Sequence, residues 1–320
     1  MLVQNMDILL KMGKHTGITA ELGIPNTHHY VPIAKRSPVT SQVIIGTAGT
    51  VNKLIAGKKL DTSGLKILMY DDADHMLIEG CYKEDCVRIM KDIHKQSLGC
   101  KVLLYATIFN DRVKAFESKI VDVLKVECTR LIVNKDGVDL DRVKQYKVNV
   151  PDEVSKITFF IDKILELGNF CQTIIFVRTK ESARMLHKAL LDATHNATNF
   201  HGARTQEDKD SILKEYKDGL TQHLITTDVH ARGFDPAQAN LVINYDLPIA
   251  SDSSDDDCEL YLHRIGRVGR HRNKGAVFNF MCGAVDNNLM EKFEKYNKNN
   301  IVEVPFEISD EEFEDILAGR

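Results

Sequence analysis

The sequence predicts an α/β fold in which helices cover largely parallel sheets. Short apolar runs alternate with segments in which apolar residues recur every three to four positions. Parallel strands are joined by crossover helices and are buried on both faces, so this alternation is typical of parallel sheets with helices on either side. A chain of 320 residues is long enough for about two such domains.

Taken in chain order, the apolar runs predict nine strands separated by helices. The strands are Gln42–Gly46, Ile67–Tyr70, Lys101–Ala106, Val121–Val126, Lys144–Val150, Thr173–Val177, His223–Thr226, Leu241–Asn244 and Ala276–Phe280. The helical periodicity covers Asp85–His94, Asp111–Ser118, Glu153–Leu167, Ser182–Leu191 and Gln206–Tyr216.

The polar stretch 131–141 predicts the boundary between the two domains. It contains the turn-forming sequence NKDGVDLD and has no periodicity. About four predicted strands precede it and about five follow it, so we divide the chain into domains at 1–135 and 136–320. The acidic segment Ser251–Asp257 predicts a solvated loop insertion, and Ser309–Leu317 predicts a solvated surface helix.

Composition and charge exclude several protein classes. The chain is 43% hydrophobic and 28% charged, which excludes disordered and collagen-like proteins. Its net charge of −4 excludes a globally basic nucleic-acid binder but allows a local basic patch. The sequence lacks both an apolar run of membrane-spanning length and the pattern of a signal peptide. The seven scattered cysteines include no CxxC pair, which argues against disulfides and zinc and predicts a reducing, intracellular setting.

Three carboxylates follow the predicted strand Ile67–Tyr70. They are Asp71, Asp72 and Asp74. Side chains at the carboxyl end of a buried parallel strand face the crevice in which such sheets bind ligands. Carboxylates placed there can hold Mg²⁺, although most acidic runs of this kind are simply solvated turns.

An arginine cluster near the end of the chain carries the strongest chemical signal. Arg264, Arg267 and Arg270 are spaced by three, with glycines before the second and third. Several guanidinium groups held close together need anions to pair with, and their planar fork suits phosphate oxygens. An arginine directed at a γ-phosphate stabilises the charge that develops in phosphoryl transfer.

In combination and in this order, four segments resemble motifs of the DEAD-box RNA helicases. YDDAD, YAT, TTDVHARGFD and YLHRIGRVGR resemble motifs II, III, V and VI, while residues 44–50 resemble motif Ib and residues 174–180 resemble motif IV. The resemblance extends along essentially the whole chain. The insertion between Pro248 and Tyr261, together with QNMDILLKMGKHTG near the start, is most similar to the subfamily that acts in mRNA export at the nuclear pore.

The resemblance implies two RecA-like parallel-sheet domains, the first incomplete, that bind ATP, Mg²⁺ and single-stranded RNA in a shared cleft. By motif, Asp71 would engage Mg²⁺ through water and Asp72, at the position of the family's glutamate, would orient the attacking water. Arg267 and Arg270 would contact the γ-phosphate. The remaining residues on the nucleotide side, by resemblance, are Asp74, Gly233, Asp235 at the ribose and His263.

The resemblance also implies contacts with the RNA backbone, which carry no sequence preference. The residues implied are Thr47, Gly49, Thr179, Lys180, Gly202 and Thr227. Coupling between the domains would fall to Tyr105, Ala106, Thr107 and Arg264. The expected partners are RNA or mRNP and nuclear-pore or helicase-regulator proteins, with no membrane. We expect a monomer in the cytoplasm and nucleus, including the nuclear envelope or pore.

The phosphate-cradling Walker A loop of the family is not found. A search for GxxxxGK[ST] gives no match, and the nearest imitation is Gly57-Lys58-Lys59. The family places this loop, a glutamine motif and motif Ia before motif Ib, so we expect all three to lie upstream of Met1. Such a first domain would have unpaired strand edges and an uncovered apolar face, which predicts poor solubility or loose packing of the first ~130 residues.

Other departures concern residues that are present. Asp72 withdraws its carboxylate by about 1.5 Å relative to glutamate, and an error of about 1 Å can cost on the order of a hundredfold in rate. Tyr105 stands where motif III has serine, so its hydroxyl cannot make the same bond to Asp74. Ala48 replaces the proline of motif Ib, and Lys209 replaces an arginine.

These observations lead to three hypotheses about function. The first is an ATP-dependent RNA helicase by descent whose present chain has weak or no ATPase activity. The second is a non-catalytic module that binds RNA or a protein through an intact second domain. The third is an incomplete gene product that lacks its first exons, which sequencing of the 5′ end of the transcript would decide.

Overall fold

The computed structural model describes residues 2–24, 31–77, 80–97, 99–107, 109–125, 127–132, 142–168, 170–200, 205–228, 239–249, 254–269, 274–297 and 301–319. The chain forms two compact units, Met1–Ile132 and Val133–Arg320. Of the helices described, none combines the length and the apolar character that crossing a bilayer requires. The described cysteines are free thiols.

The first unit contains two small parallel sheets and five α-helices among its described residues. Strands β1 (Ala20–Gly23) and β2 (Val43–Gly46) pair with each other, as do β3 (Ile67–Tyr70) and β4 (Lys101–Leu104). The helices are α1 (Leu2–Met12), α2 (Ala48–Ala56), α3 (Ala73–Met76), α4 (Gly80–Gln96) and α5 (Asp111–Leu124). Apolar side chains from α2, α4 and α5 form the core of this unit together with Tyr70 of β3.

One face of the β3–β4 sheet is exposed in this unit. The alternation of a strand places Ile67, Met69, Leu103 and Tyr105 on this face, and their exposed fractions are 55%, 54%, 37% and 53%. Loose packing and poor solubility of this unit stay predictions, since they concern behaviour in solution.

The second unit is built on a seven-stranded parallel sheet. Its strands are β5 (Val143–Asn149), β6 (Thr173–Phe176), β7 (Ala197–Phe200), β8 (His223–Thr226), β9 (Leu241–Asn244), β10 (Gly275–Met281) and β11 (Val302–Glu303). They lie in the order β11-β5-β10-β9-β6-β8-β7. Strands β6, β8, β9 and β10 are buried along their whole length. Two apolar clusters, one on each face, confirm the prediction of a parallel sheet covered on both sides.

Four of the described helices of the second unit begin at a side chain that caps the helix, namely those that follow Asp152, Thr179, Thr205 and Ser309. The helices described in this unit are α6 (Glu153–Thr158), which continues as a π-helix over Phe159–Leu165, then α7 (Lys180–Asp192), α8 (Gln206–Lys217), α9 (Ser254–Ile265), α10 (Ala284–Asn297) and α11 (Asp310–Ala318). Thr205 and Ser309 each form a capping box with the residue three positions later. The predicted C-terminal helix is confirmed, but it is not purely a surface element because Phe313 is fully buried.

Two predictions from the sequence are wrong. The strand predicted at Val121–Val126 is wrong, because Val121–Leu124 forms the last turn of α5. This helix is capped by the side chain of Asn110, and its apolar stripe is buried. The segment Ser251–Asp257 is not wholly a loop, since α9 begins at Ser254. Asp257 is only 7% exposed, and its carboxylate accepts a hydrogen bond from Lys292 at 2.8 Å.

Candidate nucleotide and RNA sites

In the first unit, the segments after β3 and β4 are joined by main-chain hydrogen bonds. The amide of Tyr105 donates to the carbonyl of Tyr70, and the amide of Ala73 donates to the carbonyl of Tyr105, both at 2.9 Å. The register places Tyr70 opposite Leu104, so the two carboxyl ends lie side by side. Asp71, Asp72 and Asp74 therefore share one edge of the sheet with Tyr105, Ala106 and Thr107.

The three carboxylates differ in their surroundings. Asp74 is 2% exposed, whereas Asp71 is half-buried and accepts a hydrogen bond from the side-chain amide of Asn5 at 3.1 Å. Asp72 has a left-handed backbone with φ 51°, a conformation that costs energy for any residue with a Cβ. It is tolerated best by asparagine, aspartate and glycine, which gives a physical reason for aspartate rather than glutamate at this position.

The carboxylates suit a magnesium ion whose other ligands are mostly waters and substrate phosphates. No group of three or more His, Cys, Asp or Glu side chains arranged for a metal occurs within the described residues. Mg²⁺ is often held by one or two carboxylates together with waters and substrate phosphates. Asp71 would hold such an ion through water, and the ion would supply charge neutralisation at the phosphates.

The segment that resembles motif Ib forms the start of helix α2. Thr47 is the N-terminal cap residue, and its hydroxyl donates to that of Thr50 at 3.0 Å. A Cβ added at Gly49 would lie 3.3 Å from a carboxylate oxygen of Asp85. That carboxylate accepts a hydrogen bond from the side chain of Asn52 at 2.6 Å. The Thr47 hydroxyl makes no capping bond to a main-chain amide, so this helix N-terminus suits a phosphate.

In the second unit, the carboxyl ends of three neighbouring strands meet at one edge. Phe176 of β6 is paired with Thr226 of β8 and with Asn244 of β9. The segments that follow carry Thr179 and Lys180, Thr227 and Asp228, and Asp246. Thr179 caps α7 by accepting from the amide of Ser182 at 3.0 Å, and Lys180 is exposed on the first turn.

Arg264 is the most heavily bonded of the predicted site residues. It is 2% exposed and binds both carboxylate oxygens of Asp228, with Nε–Oδ1 at 2.6 Å and Nη2–Oδ2 at 2.7 Å. Its Nη1 donates to Oδ1 of Asn244 at 3.1 Å and to the carbonyl of Asp246 at 2.6 Å. Its guanidinium also lies 4.8 Å from the ring of Phe176. These contacts place Arg264 inside the second unit, and a role in coupling the domains stays a prediction.

Arg267 lies one turn further on, where α9 has ended. Its Nε donates to the carbonyl of His263 at 3.2 Å, and its amide donates to the carbonyl of Arg264 at 3.1 Å. Gly269 has φ +76°, and a Cβ there would lie 2.5 Å from Cγ2 of Val143, so the turn requires glycine. Four predicted site residues, Gly202, Gly233, Asp235 and Arg270, lie outside the described residues.

A polar chain leads from this edge into the core. Asn244 donates to Asn279 at 2.7 Å, Asn279 donates to the hydroxyl of Tyr261 at 3.2 Å, and Tyr261 donates to Gln145 at 2.7 Å. All four are buried, so each bond fixes its partners strongly in a medium of low dielectric constant. Burial also raises the pKa of the Tyr261 hydroxyl, which therefore stays protonated.

Comparison with known proteins agrees with this geometry. Residues 155–272 match the family model of the helicase conserved C-terminal domain. The chain is 48% identical over 317 residues to DEAD-box ATP-dependent RNA helicase 38 of Oryza sativa subsp. japonica, covering 98% of this chain and 62% of that protein. It is 30% identical over 309 residues to the ATP-dependent RNA helicase DBP5 of Kluyveromyces lactis, covering 96% and 63%.

A solved structure of S. cerevisiae Dbp5 bound to RNA and ADP BeF3 matches with a TM-score of 0.84 at 29% identity, covering 99% of this chain and 78% of that chain. The chain belongs to the DEAD-box helicases, near the Dbp5 subfamily. It spans slightly under two thirds of the length of the curated relatives that it matches. The α/β fold of this chain is thus that of the RecA-like DEAD-box domains, as the sequence predicts.

Three residues at this edge of the sheet were not predicted from the sequence. Asp246 lies two residues after the end of β9, as Asp72 lies two residues after the end of β3, so the same signal could have found it. Asn244 is a polar residue within an otherwise apolar strand. Asp228 lies inside the motif V segment, but only the structure shows that its carboxylate pairs with Arg264.

Proposed function

We propose that this chain is part of an ATP-dependent RNA helicase that binds RNA through its sugar-phosphate backbone and remodels RNA or RNP. The observation that carries this proposal is the shared edge of β6, β8 and β9, where an exposed helix N-terminus lies beside a motif VI segment anchored by Arg264. Support comes from the yeast relative, whose structure holds RNA and ADP BeF3.

The RNA side of the proposal rests on helix α7. The first main-chain amides of a helix and its macrodipole both favour an anion, and the exposed Lys180 adds a positive charge. Thr179 and Thr227 add hydroxyl groups along the same edge. All these groups recognise phosphate and sugar, so we expect affinity without sequence preference.

The nucleotide side rests on motifs II and VI. Asp71 would hold Mg²⁺ through water, Asp72 would orient the attacking water, and Arg267 and Arg270 would stabilise charge at the γ-phosphate. The short side chain of Asp72 places its carboxylate further from the water than a glutamate would. We therefore propose that turnover of this chain is weak compared with a DEAD-box protein that has glutamate there.

RNA affinity tests the first part of the proposal. The 320-residue chain is titrated into a fluorescein-labelled U10 RNA at several salt concentrations, with and without ADP BeF3. We expect binding that weakens steeply with salt and is several-fold weaker in Lys180→Ala. Lys188→Ala is the matched control, because Lys188 is exposed on the same helix about 12 Å from Lys180. Equal affinity of both variants would count against this site.

A second candidate function, docking of an acidic protein, is favoured by a cationic groove in the first unit. The groove lies between α4 and α5 and has a volume of about 390 Å³. It is lined by Lys83, Glu84, Val87, Arg88, Lys91 and Lys119. Only Glu84 is acidic, and it pairs with Arg88 at 3.1 Å, so three lysines remain to attract an anionic partner.

We propose that this groove receives an acidic segment of a regulator. Yeast Dbp5 has been solved with Gle1 and IP6, and also with Nup159, which supports partners of the nuclear-pore or regulator type and an action of this chain at the pore. Binding of a glutamate-rich peptide by calorimetry tests the groove. Lys91→Glu should abolish it, whereas Lys114→Glu, on the same helix as Lys119 and paired with Asp111, should not.

A further inference from the structure

Asp246 joins four groups from three different elements. Its Oδ2 accepts from the amide of Arg178 at 2.7 Å, and its Oδ1 accepts from Nζ of Lys156 at 3.2 Å. Its own amide donates to the carbonyl of Phe176 at 3.2 Å, and its carbonyl accepts from Nη1 of Arg264 at 2.6 Å. The side chain is only 12% exposed, so these bonds are largely shielded from water.

The lysine beneath Asp246 is itself buried. The side chain of Lys156 is 5% exposed and lies 3.4 Å from a carboxylate oxygen of Glu153 and 5.0 Å from the ring centroid of Tyr245. The ring of Tyr245 is held in turn, since its hydroxyl donates to the carbonyl of Glu153 at 3.2 Å. A buried cation of this kind fixes the direction of the carboxylate that faces it.

The two ends of this arrangement lie on the two functional sides of the unit. Arg178 directly precedes Thr179, the cap of α7, on the proposed RNA side. Arg264 anchors the turn that carries Arg267 on the proposed nucleotide side. Asp246 is bonded to both, through its side chain on one side and its main chain on the other.

We propose that Asp246 is a positioning residue that holds the N-terminus of α7 in place for RNA and ties it to the Arg264 anchor of motif VI. The inference rests on the proposed function of binding RNA at α7. The side chain acts by fixing the amide of Arg178, which sets where Thr179 and Lys180 stand. Asp246 itself does not touch RNA.

Two double variants of equal charge test the role of the side chain without leaving either Asp246 or Lys156 as an unpaired buried charge. In Lys156→Met with Asp246→Asn, the asparagine oxygen can still accept from the Arg178 amide. In Lys156→Met with Asp246→Ala, that acceptor is gone. The two proteins have the same charge, so a difference between them in affinity for the U10 RNA reports the hydrogen bond rather than electrostatics.

We expect the asparagine double variant to bind RNA within about twofold of the wild type and the alanine double variant to bind about tenfold more weakly than the asparagine one, the size expected for loss of one buried acceptor. A second readout is the Arg264 Nε–H resonance, which should shift on RNA saturation in the asparagine variant but not in the alanine variant. Equal affinities, or equal shifts, in the two double variants would overturn the inference.

RNA binding by the wild-type chain distinguishes a failure of this inference from a failure of the proposed function on which it rests. If wild-type protein shows no salt-dependent RNA binding, the proposed function fails. If it binds RNA and the two double variants behave alike, only the positioning role of Asp246 fails. Asp218→Asn, a change at an exposed aspartate of the same unit, is the control for a nonspecific effect and should leave the affinity unchanged.

Discussion

Arg264 and Asp228 form a two-point ion pair in the second unit, with nitrogen–oxygen distances of 2.6 and 2.7 Å. The arginine side chain is 3% exposed and the aspartate side chain 22%. This pair joins motif VI, which contains Arg264, to motif V, which contains Asp228. Because two parallel bonds fix both distance and orientation, the geometry depends on a guanidinium and not only on a positive charge.

The first prediction concerns this pair. Arg264→Lys should lower the free energy of unfolding of the second unit by about 3 kcal/mol, because a lysine cannot bind Asp228, Asn244 and the carbonyl of Asp246 together. Urea denaturation followed by far-ultraviolet circular dichroism measures the change. Arg184→Lys is the control, since Arg184 pairs with Glu181 on an exposed helix face and should change stability by less than about 0.5 kcal/mol. A similar loss in both variants would contradict the prediction.

The second prediction concerns acid stability. His223 is 5% exposed on strand β8, and burial, with a smaller effect of His195, lowers its pKa from 6.5 to about 4. Its Nδ1 has no hydrogen-bond partner among the described residues. The unfolded chain therefore binds a proton below pH 6.5 that the folded chain takes up only near pH 4. Stability contributed by neutral His223 is complete above pH 6.5 and is lost as the pH falls towards 4.

The expected loss over this range is at most about 3 kcal/mol. Hydrogen exchange of the β8 amides at pH 7.0 and pH 4.5 measures it. The variant His223→Gln, which keeps a polar group of similar size but does not titrate, should show a smaller difference between the two pH values. His94→Gln, on a helix of the first unit, should leave the difference in β8 as it is in the wild type.

The sequence predicted the second unit well where burial alone decides the structure. Strands β6, β8 and β9 are short, mainly apolar runs that are buried along their whole length, and they match the prediction to within one residue. Strand β7 has the sequence ATNF and was missed, because pairing with β8 rather than its own composition makes it a strand. The valine-rich end of α5 was predicted as a strand but is helical. The N-terminal cap of the helix and its buried apolar stripe outweigh the β preference of the valines.

The same distinction applies to the candidate site. Motif residues were assigned by resemblance, but the partners that hold Arg264 come from three different strand ends, and a single sequence does not show which of these ends are neighbours. Asn244 and Asp246 acquire their roles from the pairing of β9 with β6. The strand order is a property of the folded sheet, so these partners could be found only from the structure.

The third prediction concerns the turn after motif VI. Gly269→Ala should destabilise the second unit because the new Cβ meets two obstacles, a positive φ and the methyl group of Val143. We expect a loss of about 2 to 4 kcal/mol. Gly219→Ala separates the two causes, because Gly219 has φ +73° with nothing within 4 Å of the added Cβ. It should cost only about 1 kcal/mol.

A second substitution, at Val143, tests the cause given in this third prediction. Val143→Ala removes the methyl group that the new Cβ would meet, so in that background Gly269→Ala should cost no more than Gly219→Ala. The comparison is a double-mutant cycle measured by chemical denaturation. If the cost of Gly269→Ala is the same with and without Val143, the close approach at this turn does not determine its stability.

The fourth prediction concerns Asp72, whose backbone has φ 51°. Asp72→Gly should raise the free energy of unfolding of the first unit by up to about 1 kcal/mol, because glycine adopts this conformation without the clash of a Cβ. The same change removes the carboxylate proposed to orient the attacking water, so any RNA-stimulated ATP hydrolysis should fall to background. Lys58→Gly, at φ 54° and outside the site, should stabilise to a similar degree without affecting hydrolysis. If Lys58→Gly stabilises the unit but Asp72→Gly destabilises it, the Asp72 carboxylate supports the fold, which would contradict the prediction. If Asp72→Gly raises stability and abolishes hydrolysis, as expected, the chain retains backbone strain at this position for its chemistry.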